Sequence, residues 1–311
     1  MTDPTHFHSG KFTCRRPQRF VHLATGEIVL GRCHATTMDL CPGCASLYRA
    51  DAKAIIRSGV IQHLEVDDPV TFATLTPPGL WVPDTPEELR KTHRYYPHYW
   101  ELRATGNGGV KRLRKEASRA VCGTCTAWAR AARPHGTKVH DVPPVRHAPD
   151  DPLGGLPVYL ETFDYQAAVE WNHRFGELWH RTITYLRRSY GLEIQYVKVA
   201  EWSRRGVPHL HALLTVALTN EQLLEVIGAV NRSFGDRAQG WGDIVDVQAL
   251  TIKGEPDGSL NVGRITSYLA KYLTKTSGGG LPNTAAGSRH AERHLARLAW
   301  AAYDLARQKL R

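Results

Sequence analysis

The sequence predicts an α+β protein with a central antiparallel sheet, and three observations carry that prediction. Segments 71–76, 194–202, 207–216 and 244–250 have the alternating or β-branched apolar content of strands. Segments 166–190 and 220–234 place apolar residues at helical spacing. Taken together these elements fall in the order βαββαβ, the ferredoxin-like or split βαβ arrangement. A long, Pro-rich and basic insertion, residues 77–160, separates the first strand from the first helix.

In chain order, residues 1–68 are an N-terminal module rich in cysteine and histidine. It closes with a helical pattern over 45–59 that Gly59 ends. Cys41 and Cys44 form a CxxC knuckle, and Cys14 and Cys33 precede it, giving four thiolates for one tetrahedral structural Zn²⁺. The gap between Cys14 and Cys33 is irregular for a compact finger, so His22 and His34 are alternative fourth ligands. Residues 69–276 carry the sheet, with the insertion inside them. Within the insertion Cys122-Gly123-Thr124-Cys125 is a second knuckle; with His135 and His140 it makes a candidate second zinc site, and His147 follows. A helix over 262–276 carries paired tyrosines, and residues 277–311 form a Ser-Gly-Gly-Gly hinge and a basic C-terminal helix from about 288.

Composition narrows the function classes. The 311 residues contain no apolar run long enough to cross a bilayer, and the first residues lack an apolar signal core, so a cytoplasmic protein without membrane contact is expected. In a reducing compartment six cysteines favour metal ligation or free thiols over disulfides. A net charge of +10 and a pI near 9.4 are the electrostatic footprint of a nucleic-acid binder, although an anionic membrane surface attracts the same charge. Basic and aromatic residues interleave over 91–100 and 111–115, where they can contact phosphates and stack bases of a single strand or form an ordinary solvated surface. No phosphate-binding GxxxxGK[ST] loop occurs, so an ATPase is not expected and duplex opening would fall to a host helicase or to negative supercoiling.

The strand Val207–Val216 has Pro208, Leu210, Ala212, Leu214 and Val216 on one face, which turns His209 and His211 together onto the other. If Arg204-Arg205-Gly206 is a three-residue hairpin loop with Gly206 left-handed, Glu201 falls opposite His209 on that same face. A His, His, Glu set with open positions suits Mg²⁺ or Mn²⁺ bound to a phosphate, and Zn²⁺ fits the ligand types. On the helix, Tyr268, Lys271, Tyr272 and Lys275 fall at i, i+3, i+4 and i+7, so two phenols and two ammonium groups line one face. Neighbouring cations favour phenolate and attract a phosphate. Each pattern alone also fits bland packing; the two in sequence reinforce each other.

At these residues the chain resembles the HUH endonucleases, named for two histidines around a bulky apolar residue, here His209-Leu210-His211. Their tyrosine-xx-lysine signature occurs twice in overlap. The order, histidines before tyrosine, is that of rolling-circle replication initiators. Several stretches are similar to the initiators of actinobacterial plasmids and integrative elements: Cys41-Pro42-Gly43-Cys44 leading into Tyr48-Arg49-Ala50-Asp51-Ala52, Phe72-Ala73-Thr74-Leu75-Thr76, Phe163-Asp164-Tyr165 and Lys198-Val199-Ala200-Glu201. The resemblance runs over most of residues 10–276 and implies an HUH core that nicks single-stranded origin DNA. A tyrosine would keep the 5′ end as a phosphotyrosine, and the freed 3′-hydroxyl would prime rolling-circle replication by a host polymerase. The resemblance favours Tyr272 as the first nucleophile, with Tyr268 available for the second cleavage. The chain departs from the family before Asp164, where Tyr159-Leu160-Glu161-Thr162 stands in place of a further CPxC-like pair, so a second zinc site needs histidines or is lost. A paired-tyrosine HUH transposase and a non-catalytic zinc-ribbon DNA-binding regulator are the alternative readings.

Overall fold

The computed structural model describes residues 7–9, 12–93, 99–104, 110–115, 121–147, 151–190, 193–235, 240–252, 260–274 and 288–310. Strands β1 (Phe7–Ser9), β2 (Phe12–Cys14), β3 (Gln18–Val21) and β4 (Ile28–Gly31) pair as two small hairpins ahead of helix α1 (Pro42–Glu65). After β5 (Thr71–Leu75) come a hairpin of β6 (Tyr99–Ala104) with β7 (Val110–Lys115), and helix α2 (Gly123–Ala131). The chain continues through α3 (Tyr165–Tyr190), β8 (Tyr196–Trp202), β9 (Pro208–Leu214), α4 (Asn220–Phe234), β10 (Val245–Thr251), β11 (Leu260–Asn261), α5 (Val262–Leu273) and α6 (Arg289–Lys309).

The main sheet has the order β11-β10-β5-β9-β8. Neighbours are antiparallel except β10 and β11, so the sheet is mixed where a purely antiparallel one was expected. The exception has a local cause: the two residues of β11 feed directly into α5, and Asn261 caps that helix by accepting from the Arg264 N–H. Helix α4 has both ends specified locally, with a Thr219/Gln222 capping box and a left-handed Gly235 at its C-cap.

The chain divides into two compact units that do not follow sequence order. Residues 1–78, 174–202 and 208–280, which include the N-terminal cysteines and the sheet, form one unit. The insertion and the C-terminal helix belong together, as residues 79–173, 203–207 and 281–311.

In the first unit the sheet is covered on both faces. Trp179 of α3 packs edge-on against Tyr196 and lies under the Lys198 ammonium, on the face that also carries Leu210, Ala212 and Leu214. On the opposite face Phe72, Val199 and Leu213 form a core with Ile56 and Val60 of α1 and with Ile265 and Leu269 of α5. The histidine face is therefore an interior, not a surface, and His211 is only 8% exposed. The same core explains why α1 runs through Gly59 to Glu65: burying Val60 and packing Ile61 and Leu64 outweighs the roughly 1 kcal/mol that a mid-helix glycine costs.

In the second unit, His294 of α6 is fully buried. Its Nδ1 accepts from the Tyr165 hydroxyl (3.0 Å), and its Nε2 lies 3.3 Å from the Arg205 carbonyl. Burial, and then the charges of His290, Arg205 and Arg297, push this imidazole down to about 4, so it is neutral in the folded state. A histidine depressed below its unfolded value near 6.5 contributes stability that is complete above pH ~6.5 and is lost as pH falls toward ~4, on the order of 3 kcal/mol in all. Urea unfolding at pH 7 and pH 4.5 checks this. His294→Phe should shrink the difference between the two midpoints, and an unchanged difference would count against the assignment.

Candidate active site and metal centres

The turn between β8 and β9 is closed by Ser203 N–H donating to the Val207 carbonyl (2.9 Å) and Gly206 N–H donating to the Ser203 carbonyl (3.1 Å). Gly206 has φ +82°, a conformation open to glycine and strained for most other residues. With Arg204-Arg205-Gly206 as the loop, Glu201 pairs opposite His209, and His211 follows on the same face.

Helix α5 lays its tyrosine stripe over that face, held there by the burial of Ile265 and Leu269. The Tyr268 hydroxyl donates to Glu201 Oε2 and lies 3.0 Å from His211 Nε2; the Tyr272 hydroxyl donates to Glu201 Oε1. His211 Nε2 is itself 3.0 Å from Glu201 Oε2. The two phenol rings meet at 4.8 Å between centroids, and Phe72 stacks on His211 while touching Tyr268 edge-on. The structure thus brings together Glu201, His211, Tyr268 and Tyr272. Lys271 is exposed, with its ammonium 5.8 Å from the Tyr272 ring centroid, and Lys275 lies outside the described residues. His209 is half-buried opposite Glu201. Among the described residues Glu201, His209 and His211 are not gathered as one metal-binding group, and both Glu201 oxygens accept from the phenols.

The electrostatics follow from that sharing. Burial alone would raise the Glu201 carboxyl, but hydrogen bonds from His211, Tyr268 and Tyr272 outweigh it and hold the group at about 2. Burial, then the Glu201 carboxylate, pushes the Tyr268 phenol far above its ordinary value. One fixed negative charge therefore sits between two neutral phenols.

Sequence reading passed over Thr74 as a functional residue. From β5, its hydroxyl lies 3.0 Å from His211 Nδ1, in register opposite that histidine. A hydroxyl both donates and accepts, so Thr74 can support either tautomer of His211 while Nε2 faces Glu201 and Tyr268. The residue sits in the Phe72–Thr76 stretch, and pairing β5 beside β9 was the signal that could have found it.

Four thiols gather at the start of α1. Cys14, Cys33, Cys41 and Cys44 hold their sulfurs within 4.8 Å of one another, with 3.5 Å from Cys33 to Cys44 and 3.7 Å from Cys44 to Cys14. No disulfide joins them. A tetrahedron with Zn–S bonds of about 2.3 Å has edges of about 3.8 Å, so the spacing is that of a metal cage. His22 is turned to the Thr25 hydroxyl (2.9 Å), which leaves the fourth position to cysteine. Burial would raise the Cys41 thiol, yet N–H donors of Cys44 and Arg15 bring it down to about 6.

The second knuckle departs from expectation. Cys122 and Cys125 converge with His93 and His147, whose ligand atoms all lie within 4.8 Å of one another. His135 and His140 are exposed and take no part in that group. They were the nearest histidines in sequence, but the loop after α2 carries them away and returns only at His147.

Comparison with known proteins adds a family. The one described as "replication initiator protein, pSAM2" matches residues 13–310. The chain belongs to that family. A replication initiator protein of Streptomyces ambofaciens is 28% identical over 282 residues, which cover 76% of this chain and 50% of that protein. The chain thus spans about half the length of the curated relative it matches. No solved structure matches.

The basic and aromatic stretches at 91–100 and 111–115 are partly joined, because β6 and β7 pair with Trp100 opposite Arg114 and Tyr99 opposite Lys115. Residues 94–98 lie outside the described residues. Among the described residues no helix is long and apolar enough to cross a membrane.

Proposed function

We propose that this protein is an HUH-type replication initiator: it nicks single-stranded origin DNA, holds the 5′ end as a phosphotyrosine and frees a 3′-hydroxyl that primes rolling-circle replication. The observation that carries the reading is the convergence of Tyr268 and Tyr272 on Glu201 beside His211. The sheet supports it. Strands β5, β8, β9 and β10 lie in the spatial order β10-β5-β9-β8 with antiparallel neighbours, the order a ferredoxin-like βαββαβ core requires. Family membership supports the replication role, and the net charge of +10 supports a DNA partner.

The donor set at the site fits a divalent cation, Mg²⁺ or Mn²⁺, by ligand type: one ionised carboxylate from β8 and two imidazoles from β9 on one face of the sheet, with His211 backed by Thr74. When bound there, the cation would supply charge to polarise the scissile phosphate. The chain's own residues do the rest. Glu201 holds both phenols at one place, so either oxygen can reach a phosphate seated beside His211. The attacking phenol forms an O–P bond to the 5′ phosphate as the bond to the 3′ oxygen breaks, and the proton passes to the departing 3′ oxygen. The Lys271 ammonium lies over the Tyr272 ring, where it can attract a phosphate, whereas burial and then the Glu201 carboxylate push Tyr268 up; this supports Tyr272 as first nucleophile. The Cys14, Cys33, Cys41 and Cys44 cluster fits Zn²⁺, fully ligated by protein and hence structural. Duplex opening and copying would come from a host helicase and polymerase in the cytoplasm.

The test is incubation with single-stranded oligonucleotides covering the origin, with Mn²⁺, followed by a denaturing gel. A tyrosine-dependent protein–DNA adduct is expected. Absence of any adduct across all candidate origins would leave a DNA-binding regulator as the better reading. Thr74→Val provides a subtler check: losing the support of His211 should weaken cation affinity by about 10- to 100-fold with the fold intact. Titration of nicking against Mn²⁺ measures it, and an unchanged midpoint would remove Thr74 from the site.

A further inference from the structure

We infer that the second unit holds its own structural metal site, a Cys₂His₂ zinc centre made by His93, Cys122, Cys125 and His147. It is independent of the nicking reaction and has no use for the histidines nearest the knuckle in sequence. The first argument is geometric. His93 Nδ1 lies 3.2 Å from Cys125 Sγ and 3.8 Å from Cys122 Sγ. With Zn–N of about 2.0 Å and Zn–S of about 2.3 Å, tetrahedral N···S edges are about 3.5 Å, so the contacts straddle the value that a shared cation would impose.

The second argument is an orphaned atom. His147 is buried, and its Nδ1 is held by Asp151 Oδ2 at 2.8 Å, while its Nε2 is buried with no hydrogen-bond partner. A buried, unpaired ring nitrogen costs about 1–3 kcal/mol unless something takes it up. Here it belongs to a group with two thiols and another imidazole. A carboxylate on one ring nitrogen and a metal on the other is the usual way a ligating histidine is fixed. Asp151 is itself placed, because its other oxygen accepts from the Leu153 N–H (2.8 Å).

The third argument is that the ligands are mounted on a braced frame. The backbone of His93 is bonded both ways, its N–H to the Leu156 carbonyl (2.8 Å) and its carbonyl to the Gly155 N–H (2.7 Å). Cys122 N–H donates to the Val145 carbonyl (2.9 Å), and the Thr126 hydroxyl accepts from Val145 N–H (2.8 Å), which fixes the approach to His147. His290 stands beside His93, but its Nε2 is engaged with the Pro157 carbonyl (2.8 Å) and it is not a member of the group. Four protein ligands leave no open position, so the centre braces three separated stretches of chain and offers no site for water activation.

Zinc analysis of the full-length protein, after dialysis against a weak chelator, tests the inference. Two tightly bound equivalents are expected, and zinc X-ray absorption should show a mixed shell averaging the all-sulfur cluster with a two-sulfur, two-nitrogen one. Cys125→Ser and His147→Ala should each lose one equivalent and leave an all-sulfur shell. The pair His135→Ala/His140→Ala should keep both equivalents. A single equivalent with an all-sulfur shell in the parent protein overturns the inference without reference to any variant. So does a second equivalent that survives Cys125→Ser and His147→Ala, or one lost with His135 and His140.

Discussion

The double variant Tyr268→Phe/Tyr272→Phe is expected to form no covalent adduct with a single-stranded origin and to lose nicking by about 10⁴-fold or more, while folding like the parent. The fold should survive because the change deletes two oxygens and no ring. The edge contacts among Phe72, His211 and the two phenols are contacts of ring carbons, which phenylalanine keeps. Glu201 loses two donors, but its side chain is 32% exposed and stays beside His211, so water can replace them at a cost of about 1 kcal/mol. Chemistry has no such substitute, since among the described residues no other phenol engages that carboxylate. The single variants carry the order of events. Tyr272→Phe should abolish the first nick and Tyr268→Phe should spare it, reading adducts on a denaturing gel within one turnover. The reverse pattern would transfer the first attack to Tyr268, and an adduct formed by the double variant would remove both from the reaction.

How much of this was legible in the sequence depends on how local each cause is. Helix α4 was readable to the residue, because Thr219, Gln222 and Gly235 specify its ends within one turn. The opposition of Glu201 and His209 was readable because a three-residue turn ending in glycine leaves a hairpin little choice of register. Features set by distant chain were not. Gly59 looked like a helix end, and only the core shared with α5 carries α1 past it. That α1 joins α5 in covering the histidine face was not readable, because no spacing rule announces it. The second cluster failed for the same reason. His93 sits among basic and aromatic residues that read as a DNA-contacting stretch, far ahead of Cys122, whereas His135 and His140 follow the knuckle closely. Sequence proximity was taken for spatial proximity, and the bonds of His93 to Gly155 and Leu156 defeat that. A carboxylate four residues after a histidine, Asp151 after His147, was the one local hint.

Removing the Zn²⁺ proposed for the N-terminal cluster, by Cys44→Ser or a strong chelator, is expected to unfold residues 12–41 while the sheet persists. The β3–β4 hairpin that leads to α1 has almost no apolar core of its own. Every residue of β3 is exposed, as are Ile28 and Val29 of β4. What is buried there is the cluster itself, Cys14, Cys41 and Cys44, with Cys33 and Ala35 packed against it. Without a cation the thiols crowd one another, and burial with neighbouring thiols pushes Cys44 up to about 12, so four thiolates cannot coexist. A structural zinc supplies about 10–16 kcal/mol in small domains of this kind, far more than the exposed β3–β4 hairpin can offer. Helix α1 should respond in two parts. Its first turn, where Cys41 and Cys44 sit, loses its anchor, whereas Ile56 and Val60 remain buried against α5. Hydrogen exchange therefore separates the outcomes: protection should vanish before Cys44, hold beyond Ile56 and hold in β5, β8, β9 and β10. Uniform loss across the sheet would mean that the module and the core unfold as one. Unchanged protection in residues 12–41 of metal-free protein would mean that the hairpins have a source of stability other than the four sulfurs.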